Sequence, residues 1–176
     1  MTTRQERLFA GHGGRILVTL TVAWATLQLG RFLLPPLLPA IIADLGMTTL
    51  TAGVALGALQ AVYALTQFPS GRLSDRFTRP SLVVPGLIAL LGAFLLLSVA
   101  TAVWLFVAAT VLFGVGKGLF AVPSRAQLSD LFVAKRGQAL GLYAAGTDFG
   151  GILAAVGGVL VTGGGALLGL PDAALV

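Results

Sequence analysis

Gly71-Arg72-Leu73-Ser74-Asp75-Arg76-Phe77-Thr78-Arg79 is a charged turn set between two long apolar runs. Elsewhere charge is scarce: 57% of residues are hydrophobic and only 10% charged. A charged side chain near the centre of a bilayer costs roughly 2.5–3.5 kcal/mol on insertion scales. Three arginines and an aspartate packed into one turn therefore mark a loop that stays on one side of a membrane. The mean hydropathy of +0.98 lies outside the range of water-soluble domains and gives the same class, a polytopic membrane protein.

Outward from this loop, runs of about 20 apolar residues read as helices that cross the hydrocarbon core, roughly at 16–41, 50–70, 82–101, 103–123 and 138–162. They must be helical, because lipid offers no hydrogen-bond partner to an unpaired backbone group. Residues 1–15 read as an N-terminal segment, 16–162 as the five-helix region, and 163–176 as an external loop or the start of an incomplete sixth helix. Pro35, Pro36 and Pro39 predict that the first helix kinks or ends irregularly near its far end. The stretch from Arg125 to Arg136 reads as a turn.

Nine of the eleven basic residues fall on one side of these spans: Arg4, Arg7, Arg15, Arg72, Arg76, Arg79, Arg125, Lys135 and Arg136. The opposite loops hold Asp44 and Asp172 and no lysine or arginine. The positive-inside rule then predicts a cytoplasmic N-terminus in a multi-pass protein of the plasma membrane. Because the basic residues sit in breaks between spans rather than in a surface stripe, nucleic acid is not an expected partner. There is no cysteine and a single histidine, His12, so neither disulfides nor a metal site are expected, and no cofactor is implied. Gly114-Val-Gly-Lys-Gly falls short of a phosphate loop: Val111 stands where a glycine is required, and Gly118 where a serine or threonine is. A membrane enzyme would need a cluster of polar groups within the spans, and the lone Asp148 does not make one.

With Gly71, Leu73, Asp75, Arg76 and Arg79 in this order, the loop resembles the signature loop between the second and third helices of major facilitator superfamily transporters. Thr78, Pro80 and Val83 stand where that family usually has Gly, Lys and Leu. Arg125, Lys135, Arg136 and Gly137 fall where its next cytoplasmic loop ends in Arg-Gly. Helix 4 is similar to the family's Arg-x-x-x-Gly-x-Gly segment, with Thr110 in place of the arginine, which weakens a proton-linkage role there. Helix 5 has Leu153-Ala154 and lacks the Gly-Pro pair of the antiporter signature, which weakens an exporter reading.

The resemblance covers nearly the whole chain. It implies an all-α membrane protein whose five helices belong to the N-terminal six-helix bundle of a twelve-helix transporter. It further implies that the complete protein moves a small solute by alternating access, driven by a proton or solute gradient. The implied partners are the lipid bilayer, the solute, a proton and the missing C-terminal half, so the chain reads as a fragment that does not transport alone. By the same resemblance, Gly71 allows close helix approach, and Asp75, Arg76 and Arg79 join a charge network that latches the two halves. A reading from another class is a small membrane scaffold or partner subunit, which a co-purifying second membrane chain would favour.

Three ionisable residues fall within the spans: Arg31, Lys117 and Asp148. Such residues face a bundle interior or a cavity. Trp24, Gln28, Arg31 and Pro35 recur at helical spacing on one face, which suits a pocket for an anion or a polar group. Asp148 shares its face with Gly141, Ala144, Ala145 and Gly151, which leaves room for water around a protonatable carboxylate. Counting helix rise places Arg31 and Asp148 within roughly 7–8 Å in depth, and predicts that they pair. Lys117 is expected about two turns from the cytoplasmic end of helix 4, within snorkelling reach. Small residues mark packing faces: Gly146, Gly150, Ala154 and Gly158 on helix 5, Gly53, Gly57 and Ala61 on helix 2, and Gly114 and Gly118 on helix 4.

Overall fold

Each apolar run folds as one long helix, and short breaks carrying helix-ending residues separate them. The computed structural model describes residues 8–167, with side chains described for 8–161. The helices are α1 (Gly11–Leu45), α2 (Thr49–Arg76), α3 (Pro80–Ser98), α4 (Val103–Leu131) and α5 (Arg136–Leu167). All five are long and apolar enough to cross a membrane. Gly46 ends α1 in the left-handed region at φ 59°. Its N–H and that of Met47 turn back to the carbonyls of Ala43 and Ile42, the closure a glycine permits without a Cβ clash. Thr48 caps α2 by accepting the Thr51 N–H at 3.1 Å. Pro80 opens α3, where its missing N–H costs nothing.

Three boundaries differ from the sequence reading. The first helix begins at Gly11, inside the stretch assigned to the N-terminal segment, and runs unbroken through Pro35, Pro36 and Pro39 to Leu45. An early end would leave carbonyl groups facing hydrocarbon, a larger loss than the hydrogen bonds the prolines remove. The fourth helix does not stop at 123 but continues to Leu131, burying Pro123, Ser124 and Leu128. Arg125 therefore lies on a helix and not in a turn. The fifth extends to Leu167; the expectation of a sixth helix falls largely on 168–176, which lie outside the described residues, as do Arg4, Arg7 and Asp172.

Helix α4 is the axis of one group, with α2 on one side and α3 on the other, while α1 lies along α5. The two groups meet lightly, through α4 against α1 and α5. The core between them is built from Leu17, Leu27, Phe113, Phe120, Leu128 and Tyr143. Much of the outer surface is apolar, with Val54, Leu65, Ile88 and Leu91 standing out from it. Such a surface is what lipid contact requires.

Small residues set how closely the helices approach. A Cβ on Gly150 would run into the Ala25 carbonyl of α1, and one on Gly146 would come within 3.1 Å of the Thr21 carbonyl. Ala154 is fully buried on the same stripe, and Gly158 lies against Pro36. On α4, a Cβ on Gly114 would approach the Leu59 carbonyl of α2 to 2.6 Å. The α2 stripe behaves otherwise: nothing lies within 4 Å of a Cβ built on Gly53 or Gly57. The packing face read there is not covered by any described residue.

Candidate functional site

At the arginine-rich end, the loop between α2 and α3 folds back on the helix before it. Arg79 is the hub. Its Nη1 donates to the Ser74 carbonyl at 2.7 Å, to Ser74 Oγ at 2.6 Å and to Asp75 Oδ1 at 3.1 Å. Its Nε donates to Asp130 Oδ2 at 3.1 Å, which ties the end of α2 to the last turn of α4. Burial opposes the guanidinium charge, but the hydrogen bonds and attraction of Asp130 and Asp75 outweigh it and hold the pKa above its ordinary value. Arg76 is exposed. A Cβ on Gly71 would meet Val122 at an ordinary 3.8 Å, so no close approach is made there among the described residues.

A second group of polar residues lies within the spans, where α1, α2, α4 and α5 come together. Trp24 is 4% exposed, and its Nε1 donates to Thr147 Oγ1 at 2.8 Å. Its ring stacks on Tyr143 with centroids 5.3 Å apart and on Phe120 at 6.4 Å. The Tyr143 hydroxyl is hydrogen-bonded to Ser124 Oγ at 2.9 Å. Arg125 stands at the surface of α4 with its guanidinium 5.5 Å from the Trp24 ring. One turn along α1, Gln28 is buried with its side-chain oxygen unpartnered. Lys117 is 2% exposed, with its Nζ 4.2 Å from the Tyr63 ring, and Arg31 and Arg125 are both near enough to act on its charge. A cavity of about 210 Å³ opens between Trp24, Arg125, Tyr143, Ala144 and Thr147.

Two expectations are corrected here. Lys117 does not reach along α4 toward its end: it is buried inside the bundle with its Nζ turned onto the Tyr63 ring of α2. Arg31 and Asp148 do not pair. Arg31 lies partly buried with its guanidinium 5.1 Å from the Phe32 ring, and Asp148 is exposed with no ion pair among the described residues. The cause is register. Gly146 faces Thr21 and Gly150 faces Ala25, which sets Asp148 level with Trp24 and leaves Arg31 two turns, or about 12 Å, deeper. A larger groove of about 520 Å³ between α1 and α5, lined by Val22, Ala25, Leu29, Phe149 and Leu153, holds no charged group and suits acyl chains.

The described residues thus combine five helices long and apolar enough to span a membrane, a charged α2–α3 loop and polar groups that converge inside the bundle. The profile of the Major Facilitator Superfamily matches residues 8–169, nearly the whole chain. The chain belongs to this superfamily. It is similar to the agnestins efflux protein AgnL12 of Paecilomyces divaricatus, 32% identical over 87 residues, which are 49% of this chain and 20% of that protein. It is also similar to the multidrug resistance protein MdtH of Klebsiella pneumoniae (strain 342), 32% identical over 104 residues, 58% of this chain and 26% of that protein. The matched part thus spans about a fifth to a quarter of the length of these relatives.

In this facilitator chain, the structure adds residues that sequence reading passed over. Asp130 joins the loop network from 51 positions away, and its signal was only that few carboxylates exist at that end. Arg125 was read only as a loop residue, because Pro123 looks like a helix end. Tyr63, Tyr143, Ser124 and Thr147 carried no motif. Thr110, where the family has arginine, is buried with its hydroxyl donating to the Val107 carbonyl at 2.8 Å, as a residue without a charge to place does.

Proposed function

We propose that this chain forms the solute-binding face of one half of a secondary transporter, which in its complete form moves a small anionic or polar solute across the plasma membrane by alternating access. One observation carries the reading. Trp24, Gln28, Arg31 and Lys117, from helices distant in sequence, bring their polar groups together at mid-span, where such groups are retained for function. Asp148, exposed at the level of Trp24, is the candidate for the coupling proton. The Arg79–Asp75–Asp130 network is the part that would gate the arginine-rich end, taken as cytoplasmic. The two relatives are named for efflux and for drug resistance, which supports a small-molecule substrate.

The chain has no native cysteine, so single cysteines report accessibility cleanly. In the complete transporter, Thr101→Cys should react with an impermeant thiol reagent from outside, and Thr78→Cys only after permeabilisation. Ala144→Cys, at the cavity, should react from either side, and solute should change both rates. Reaction of Ala144→Cys from one side only, whatever the conditions, would sink alternating access.

A further inference from the structure

Three cations meet in this region without a counter-charge. Arg31, Lys117 and Arg125 have neither an ion pair nor a hydrogen bond with any described residue; each rests on an aromatic ring. The carboxylates of the described residues lie elsewhere. Asp75 and Asp130 are taken by Arg79, Asp44 lies in the last turn of α1, and Asp148 is exposed and contacts none of the three. A ring face offsets only part of what it costs to keep a cation away from water. Lys117 is buried as completely as a core leucine, so this cost is greatest there. A solute bringing negative charge would remove it; a neutral solute would not, and a cation would add to it. The cavity beside Arg125, walled by Trp24, Leu140, Tyr143 and Ala144, is an apolar recess next to that guanidinium.

We propose that this cluster binds a small organic oxyanion, with its carboxylate or phosphate-ester head at Lys117 and Arg31. The short apolar body lies in the recess beside Trp24 and Tyr143, and Arg125, two turns along α4, closes over it. This rests on reading the region as the solute site.

Trp24 is its own reporter. The chain has two tryptophans, and Trp104 is 69% exposed at the opposite end of α4, so Trp104→Phe leaves only the site to fluoresce. The 176-residue chain carrying this change is held in lipid nanodiscs and titrated at fixed ionic strength with butyrate, ethyl phosphate and butyramide. Saturable change with one or both oxyanions and none with butyramide is the expected result, and the two oxyanions separate the head groups. Lys117→Gln should weaken oxyanion binding about tenfold or more, the loss of a charge-assisted hydrogen bond. Arg72→Gln, exposed and outside both the cluster and the Arg79 network, should leave it unchanged. Arg31→Gln serves in its place should Lys117→Gln not fold by circular dichroism. Equal saturation by butyramide, or an unchanged oxyanion affinity in Lys117→Gln, overturns the anion while leaving a solute site. No saturable response to any of the three overturns both.

Discussion

Arginine and lysine occur in two opposite settings in this chain. At the end of α2, Arg79 has two carboxylates, a hydroxyl and a carbonyl as acceptors, and its partners Asp75 and Asp130 are 76% and 60% exposed. Within the spans, Arg31 and Lys117 have ring faces and no acceptor. The well-paired group is the one that matters less to stability, because water already screens it. The unpaired group is costly, and its persistence is a statement about function. Pairing and importance run in opposite directions here.

The comparison breaks most readily at Lys117. Replacing it by methionine keeps the volume and removes the uncompensated charge, so the folded chain should gain about 1–4 kcal/mol. Thermal unfolding in nanodiscs reads this, and a loss of stability would mean that Lys117 holds the bundle together. A smaller effect should follow from supplying the missing counter-charge. Gln28→Glu places a carboxylate one turn from Arg31 and should add about 1.5–3 kcal/mol, the range for hydrogen bonds to charged groups. It should also compete with any bound anion; an unchanged melting temperature would place Gln28 out of reach of the cations. The smallest effect belongs to the exposed network. Asp130→Asn should cost about 0.2–1 kcal/mol, and the cost should shrink as salt rises. A larger, salt-insensitive loss would show that the loop holds the fold rather than adjusting it.

The helices were legible because bilayer thickness and backbone hydrogen bonding leave little choice of length or type. Their ends were less so: Pro123 followed by Arg125 looks like a stop, yet α4 continues because a helix may outrun the apolar stretch that anchors it. Helix pairing was not legible. The stripes on α2 and α5 have the same composition, but only that of α5 is covered, and what covers it is a choice made by all the helices at once. The site was half legible. Trp24, Gln28 and Arg31 follow from one helix's periodicity, whereas joining them to Lys117 and Arg125 needs the antiparallel register of α1 and α4. The Arg31–Asp148 pair failed on that kind of information, since a depth count within each helix cannot supply the offset between two.

The pairing of α1 with α5 has a consequence for biogenesis. Helix α1 is made first, and its main neighbour is the last of the five to leave the ribosome. At ~5–20 residues per second, the interval from Leu45 to Leu167 is roughly 5–25 s. The helix that follows it directly, α2, offers little contact. During that interval the face of α1 at Thr21, Ala25 and Pro36, against which Gly146, Gly150 and Gly158 later pack, is without its partner. The insertion machinery, rather than the nearest hairpin neighbour, has to shelter it. A chain halted after α4 would expose α1, more than any other helix, to the proteases that clear orphaned membrane segments.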